Sequence, residues 1–334
     1  MSTLKLTKSG SGIVLHYREM KFAFDVGLHT DVTLISHAHA DHVSNLACSG
    51  SLVATAETLE TLAARGEPLP QCTSTAKYDE PVELNHVRIT TLNAGHVLGS
   101  AMFLLEFDDG LRVLYTGDYN AVDSVVHRAA RPVHADVLIT EATYGSPEWV
   151  FPERANVHKM IIDKARAELD EGRIPLFKAY SLGKAQEAIA VLQREGLEVL
   201  SGNRVIDDVS DVYSRHGVDL RYVSLGSEAA SEALERGCAI VSSSPNHTYS
   251  AVERVLGPER ARDLWGWTNT YTLSGWALRE VNRGGFPLSA HTDFPGLMGF
   301  TEAVAPRITY CFAGNAGKFS SHLSLAGFAA VSLE

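Results

Sequence analysis

Ser36-His37-Ala38-His39-Ala40-Asp41-His42 places four metal-binding side chains within six consecutive positions. In an extended loop, His37 and His39 point to the same side. Only Ala38 and Ala40 stand between the ligands, so nothing crowds an ion. Asp41 and His42 open the next turn and point elsewhere. Imidazole and carboxylate ligands in this mixture suit zinc. The plain alternative, a polar loop with incidental histidines, would desolvate four ligands for no gain. One loop does not close two tetrahedral sites, so further ligands must come from other strand ends. His96, in Ala94-Gly95-His96-Val97-Leu98-Gly99-Ser100, and Asp118, in Tyr115-Thr116-Gly117-Asp118-Tyr119-Asn120, fit that description. Either alone would more often be structural. With the histidine-rich loop they complete a pair of sites: His37, His39 and His96 on one metal, Asp41 and His42 on the other, Asp118 bridging. Metals paired at roughly 3.5–4 Å clamp the attacking and leaving oxygens of a displacement. Asp25, before Gly27, has two readings: a carboxylate that orients a ligand histidine from behind, or a turn carboxylate.

Such ligands need strand ends to hold them, and the first part of the chain supplies strands. Gly12 to Tyr17 and Lys21 to Val26 read as a pair, and Val32 to Ser36 as a buried strand entering the histidine loop. Ala56 to Arg65 reads as a helix. Val87 to Leu92 leads to His96, Ala101 to Phe107 and Leu111 to Tyr115 form a hairpin around Asp108-Asp109-Gly110, and Asp136 to Thr140 is a further buried strand. After about Tyr144 the pattern changes to alternating strand and helix. It includes a helix over Val157 to Glu171 stopped by Gly172, a strand over Ile174 to Ala179 and a helix over Gly183 to Arg194. Leu197 to Leu200, Asp207 to His216, Ala239 to Ser243 and Ser250 to Leu256 continue it, as a parallel α/β domain requires. The final stretch holds Ser289-Ala290-His291, a helix near Pro295 to Val304 and a strand over Ile308 to Phe312.

The bulk properties are those of an ordinary globular chain: 334 residues, 45% hydrophobic and 21% charged, long enough for two moderate domains. No apolar stretch is long enough for a transmembrane helix, and Met1-Ser2-Thr3-Leu4-Lys5 lacks the apolar core of a secretion signal. Cys48, Cys72, Cys238 and Cys311 show no Cys-x-x-Cys spacing and read as reduced thiols of a cytoplasmic protein. A net charge of −11 excludes a large basic face that coats nucleic acid. It does not exclude a nucleic-acid enzyme, because a metal pair supplies positive charge where a phosphate must sit.

These residues resemble the metallo-β-lactamase superfamily, and within it the β-CASP nucleases, over nearly the whole chain. Asp25 and His37-Ala38-His39-Ala40-Asp41-His42 look like the first two superfamily motifs, His96 and Asp118 like the third and fourth. Thr140-Glu141-Ala142-Thr143-Tyr144-Gly145 resembles β-CASP motif A. Ala179-Tyr180-Ser181-Leu182-Gly183-Lys184-Ala185-Gln186-Glu187 resembles a strand–loop–helix segment of the inserted domain. Leu288-Ser289-Ala290-His291-Thr292-Asp293 resembles motif B, in the form seen in the RNA-cleaving subunit of the polyadenylation machinery and its prokaryotic relatives. The resemblance implies an α/β fold: a metallo-β-lactamase αββα sandwich over 1–143 and 285–334, with a β-CASP α/β domain inserted at 144–284 and capping the metal cleft. One departure stands out. RNA-cleaving members carry a His-Gly pair in motif C, whereas this chain has Cys311-Phe312-Ala313-Gly314-Asn315, and Artemis-type DNA-repair members also lack that histidine. A weaker second metal position is therefore expected, filled by zinc or manganese. His322 and His247 are minor candidates for the missing ligand, His322 falling in a helix as a surface residue. The chain ends soon after this motif, so a family C-terminal extension is not expected.

What the resemblance implies chemically is a nuclease. Zinc would lower the pKa of water toward neutrality and make it a nucleophile for in-line attack on phosphorus. Asp41 would accept the proton, and His291 would contact the phosphate or protonate the leaving oxygen. Glu141 would hold His291 in the right tautomer; the plain alternative is a structural hydrogen bond. Lys184, with Ser181 in the loop before it, and Ser244 are candidates for a flanking phosphate, although serine-rich loops are usually only loops. Trp265, Trp267 and Trp276 are candidates for base stacking, with core packing expected for at least two. The substrate is nucleic acid, with RNA processing or degradation, including mRNA 3′-end processing, slightly ahead. An Artemis-like DNA exonuclease, a small-molecule metallohydrolase and a metal-free scaffold are the alternatives. No membrane partner is expected.

Overall fold

Short β-branched and aromatic runs, each closed by a turn residue, build two sheets from the first part of the chain. In the computed structural model, which describes residues 4–84 and 86–333, the N-terminal strands are β1 (Lys5–Ser9), β2 (Gly12–Tyr17), β3 (Met20–Phe24), β4 (Val32–Leu34), β5 (Leu52–Thr55) and β6 (Thr73–Ala76). Met1 to Thr3, part of the stretch read for a secretion signal, lie outside the described residues. These six strands form one sheet in chain order, antiparallel from β1 to β3 and parallel from β3 to β6. Helix α1 (Ala56–Ala64) packs beside β5 and β6, with the Thr55 side chain capping it at Thr58 N. Five more strands follow: β7 (Pro81–Leu84), β8 (Val87–Asn93), β9 (Ala101–Phe107), β10 (Arg112–Tyr115) and β11 (Val137–Glu141).

The chain then builds a wholly parallel sheet. Its strands are β12 (Ile174–Lys178), β13 (Val199–Ser201), β14 (Val223–Ser224), β15 (Ala239–Ser242), β16 (Thr268–Leu273) and β17 (Gly285–Phe286), in the order β14-β13-β15-β12-β16-β17. The intervening helices are α2 (Arg154–Asp170), α3 (Lys184–Arg194), α4 (Arg204–Arg215), α5 (Ala230–Arg236), α6 (Pro245–Leu256) and α7 (Pro258–Gly266). Finally α8 (Phe294–Val304), β18 (Ile308–Phe312), α9 (Ala316–Leu325) and β19 (Ala330–Ser332) return to the earlier part, where β18 pairs in parallel with β11. The second sheet is thus β19-β18-β11-β10-β9-β8-β7. Two units result. One comprises Met1–Asp123, His127–Val150 and His291–Glu334, the other Ser124–Val126 and Phe151–Ala290.

In the first unit the two sheets pack face to face. Leu15, Phe22, Phe24 and Leu34 of one meet Phe103, Leu105, Val113, Tyr115 and Ile139 of the other. The alternate residues Met102, Leu104, Leu114 and Leu138 face Leu297, Phe300, Phe319 and Leu323 of α8 and α9. Strand β11 is buried on both faces, as the consecutive apolar residues Val137, Leu138 and Ile139 require.

Several elements depart from the sequence reading. Helix α4 starts at Arg204 rather than Asp207, because Asn203 caps it by accepting from Ile206 N. Helix α6 starts at Pro245 rather than Ser250, since proline is already shaped for a first helical position. Trp267 and Trp276 are exposed, at 62% and 48%. That overturns the expected core packing of at least two tryptophans: both sit at element ends, off the inward-facing positions. Trp265 packs edge-on against Tyr249. Among the described residues, no helix is long and apolar enough to cross a membrane.

In the second unit, Glu187 of α3 is buried and binds Arg154 through two hydrogen bonds of 2.6 Å and His158 at 2.8 Å, both from α2. Burial alone would raise its carboxyl; the Arg154 guanidinium and His158 outweigh that and hold it at about 2. In the unfolded chain the group returns to its ordinary value of 4.5. Its contribution is therefore complete above that pH and is lost as pH falls toward 2. Glu187→Gln should cost about 3 kcal/mol at neutral pH, because it leaves the partly buried Arg154 without its counter-charge. Between about pH 5 and pH 3 its urea midpoint should fall less than that of the wild type. Parallel declines in the two proteins would show that another group carries the acid sensitivity.

Candidate metal centre

The histidine loop leaves the end of β4 with its first residues pinned. Ile35 N donates to Val53 O at 3.0 Å, and Ser36 O accepts from Ala101 N at 2.8 Å. His39 is extended, and Ala40 to His42 form one turn of 3₁₀ helix closed by His42 N to His39 O at 3.0 Å. The Arg65 guanidinium, just past α1, donates to Ala38 O between the two ligand candidates. His96 follows β8 in a tight turn, where Asn93 Oδ1 accepts from Gly95 N and Ser100 Oγ accepts from His96 N, both at 3.0 Å. Asp118 follows β10 after Gly117. That glycine has φ +54° and packs so close to Ser36 that a Cβ would lie 2.5 Å from the Ser36 Cβ. Only glycine meets both conditions.

Three ring nitrogens converge at this place. His39 Nδ1 lies 3.0 Å from His37 Nε2 and 3.0 Å from His96 Nε2. Asp118 Oδ2 is 3.7 Å from His37 Nε2 and 3.8 Å from His96 Nε2. A tetrahedral ion with bonds of about 2.0–2.1 Å spaces its ligands by roughly 3.4 Å, inside that spread. The donor set therefore fits a divalent ion such as zinc. On the other side of Asp118, the same Oδ2 is 3.3 Å from His42 Nε2, which is 3.8 Å from Asp41 Oδ2. Asp118 thus stands between the two groups of candidates.

Behind the cluster, Asp25 is fully buried with φ 58°. Its Oδ1 accepts from Ser36 N at 2.6 Å, and its Oδ2 accepts from Ser36 Oγ at 2.7 Å, Tyr115 Oη at 2.7 Å and His42 Nδ1 at 2.8 Å. Ser36 has spent its only proton on Asp25, so its oxygen accepts from His37 Nδ1 at 2.9 Å. Both histidines therefore turn Nε2 toward Asp118. Asp25 thus bonds His42 directly and reaches His37 through Ser36, the contacts that its orienting reading calls for.

The electrostatics follow from these contacts. Burial, then the neighbouring His42, His96 and His39, hold the His37 ring well below the ordinary imidazole value, so it is neutral. Burial alone would raise Asp118, but His42 and His291 outweigh it and hold the carboxyl well below the usual range. Burial would likewise lower His42, yet Asp118 and Asp25 raise it well above its ordinary value. Neutral His37 and anionic Asp118 are the states that metal ligands need; His42 carries a proton that an ion would displace.

Glu141, at the end of β11, is buried and accepts from Tyr119 N at 2.9 Å and Thr143 N at 3.3 Å. His291 Nδ1 lies 2.9 and 3.0 Å from its two carboxylate oxygens, and His291 Nε2 lies 3.9 Å from Asp118 Oδ2. Ala313 follows β18 with φ 61° and is exposed. Asn315 ties this loop to the segment after Glu141 through Ala142 O and Thr143 O, each at 2.8 Å. His322 lies in α9, half-buried against Phe294, instead of at the surface. In the second unit, Lys184 opens α3 almost fully buried, its Nζ 4.6 Å from the Tyr180 ring centroid. Ser181 O accepts from Gln186 Nε2 at 3.0 Å, Ser244 precedes α6, and His247 is exposed on that helix. Sequence reading missed Tyr115, Ser36 and Arg65. Tyr115 looks like one more core aromatic, and only its place three residues before Asp118 hints otherwise.

Residues 19–180 match the family described as "Beta-lactamase superfamily domain". A probable DNA ligase of Opitutus terrae is 29% identical over 89% of this chain and 28% of its own length. Cleavage and polyadenylation specificity factor subunit 3 of Dictyostelium discoideum is 26% identical over 57% of this chain and 32% of its own. An RNase J-like protein of Methanocaldococcus jannaschii is 29% identical over 48% and 43%. The chain thus spans less than half the length of each of these relatives. A crystal structure of a protein of unknown function from Enterococcus faecalis V583 superposes with a TM-score of 0.63 at 13% identity, covering 93% of this chain and 94% of that one. At that identity the likeness speaks for the fold alone.

The close approach at Gly117 gives a direct check. Gly117→Ala should destabilise the protein by about 2–4 kcal/mol, since it combines a left-handed backbone with a clash against Ser36. Thermal unfolding of the metal-free protein reads this. An unchanged midpoint would mean that Ser36 and the histidine loop shift at no cost.

Proposed function

From the premise that the chain belongs to the metallo-β-lactamase superfamily and to its β-CASP family, we propose that it is a metal-dependent hydrolase that cuts phosphodiester bonds in nucleic acid. The observation that carries this reading is the convergence of His37, His39, His96 and Asp118, all within 4.8 Å of one another, beside the Glu141–His291 pair. We read 1–143 and 285–334 as one domain interrupted by a β-CASP insertion at 144–284; the compact units, whose long segments change over after Val150 and Ala290, support this. A cytoplasmic location belongs to the same reading.

His37, His39, His96 and Asp118 would hold one ion, and Asp41, His42 and Asp118 a second, with zinc favoured and manganese acceptable. The second position has fewer side chains, since Ala313 stands where the RNA-cleaving members have a histidine. Metal, when bound, supplies Lewis-acid charge for the phosphoryl oxygens and a nucleophilic water near neutral pH. Asp41, with its side chain 75% exposed, is the carboxylate open to take a proton. His291 Nδ1 donates a hydrogen bond to Glu141, which fixes the ring's orientation; in its doubly protonated form the ring would offer the Nε2 hydrogen to the reacting phosphate or the leaving oxygen. Lys184, Ser181 and Ser244 are read as contacts for flanking phosphates.

The names of several relatives support RNA as the polymer: the RNase J-like protein and the endoribonucleases named YSH1 in yeasts. DNA is the second reading. The match that spans 89% of this chain is to a probable DNA ligase, and Ala313 agrees with it.

Two experiments test these readings. End-labelled single-stranded RNA and matched DNA, incubated with zinc- or manganese-loaded protein, should show one polymer cut and no cutting by Asp118→Ala. A metal-loaded chain that cuts neither would sink the nuclease reading. Glu141→Gln and His291→Ala should each lower kcat about 10²- to 10⁴-fold with metal content unchanged. Loss of metal in either variant would make the pair ligands instead of proton carriers.

A further inference from the structure

Tyr115 is fully buried in an aromatic stack, its ring 4.3 Å from Phe24 and 5.5 Å from Phe312. Phenylalanine would fill that space equally well, and Phe24, Phe103 and Phe312 do so around it. The phenolic oxygen therefore needs its own explanation, because burying a hydroxyl is unfavourable unless it is bonded. Its partner is Asp25 Oδ2, at 2.7 Å. Tyr115 ends β10 in the second sheet, whereas Asp25 follows β3 in the first, so this bond crosses the apolar interior between the sheets.

We propose that Tyr115 is a positioning residue for the metal centre: its hydroxyl locks the Asp25 carboxylate that holds Nδ1 of His42 and, through Ser36, Nδ1 of His37. The inference rests on the metal-centre reading of His42, His37 and Asp118. Four donors reach the Asp25 carboxylate: Ser36 N on Oδ1, and Ser36 Oγ, His42 Nδ1 and Tyr115 Oη on Oδ2. Without Tyr115 the carboxylate keeps its bonds from the histidine loop but loses the one that ties it to the opposite sheet. It can then turn, and the His42 ring turns with it. Asp118 follows the same strand, three residues beyond Tyr115, so both sides of the second metal position are set from one strand end.

The test is zinc binding to the full chain, measured by competition with a chelator, alongside urea unfolding of the metal-free protein. Tyr115→Phe should weaken the weaker-bound zinc about ten- to a hundredfold, as loss of a ligand-orienting partner does, and should also lower the metal-free urea midpoint, because the buried Asp25 carboxylate loses a donor. Phe312→Leu disturbs the same stack but leaves every bond to Asp25 in place. It should lower the midpoint without changing zinc affinity. Unchanged affinity in Tyr115→Phe would overturn the proposal, and so would an equal loss of affinity in Phe312→Leu, which would reduce the role to packing. A wild-type chain that binds no zinc would instead sink the metal-centre reading, and the role of Tyr115 with it.

Discussion

A carboxylate with no solvent contact governs the candidate site. Asp25 is buried completely, and a charge in that position is tolerable only if both of its oxygens are met by hydrogen-bond donors. Four donors meet this demand, and three of them come from the histidine loop itself. The loop therefore has little freedom: satisfying Asp25 fixes Ser36, Ser36 fixes which nitrogen of His37 carries the proton, and the same carboxylate fixes His42. The backbone of Asp25 is left-handed, which costs of order 1–3 kcal/mol for a non-glycine residue and persists only where the surroundings over-determine it. Strain and buried charge lie on the same residue, directly behind the ligand candidates.

The rest of the first unit works as a mount for that hub. Candidate ligands leave the ends of β4, β8, β10 and β11, elements whose bodies are consumed by the core between the sheets. Strand interiors supply stiffness and strand ends supply chemistry. Glycine is needed at the junction where two such ends touch, Gly117 against Ser36, since any side chain would push them apart. The centre is thus specified by close backbone approach as much as by its histidines.

Most of this centre was legible in the sequence because ligand residues sit in short loops with small neighbours. His37, His39, Asp41, His42, His96 and Asp118 advertise themselves through spacing and context, and Glu141 and His291 through motif resemblance. Tyr115 and Ser36 do not, since each reads as an ordinary core aromatic or turn serine until its bond to Asp25 is seen in the fold. The same limit applies to the fold. Strands with a buried apolar run, such as β9 and β11, were readable. The polar strand β16 and the two-residue β14 carry almost no local signal and exist because neighbouring strands offer hydrogen bonds. Helix starts moved where a cap or proline, not hydrophobic periodicity, sets the boundary.

The parallel pairing of β11 with β18 has a consequence for how the protein is made. The long segment of the second unit, Phe151–Ala290, lies between these strands in sequence, and Glu141 waits for His291, 150 residues later. At ribosomal rates of roughly 5–20 residues per second, that interval is on the order of ten seconds. During it the nascent chain holds the histidine loop, His96 and Asp118 but lacks the imidazole that faces them. Strand β11 also stands with the edge that β18 will cover still unpaired, the kind of surface that chaperones cover. Vectorial synthesis thus assembles the candidate metal ligands early and withholds the imidazole that faces them until the second unit has been made.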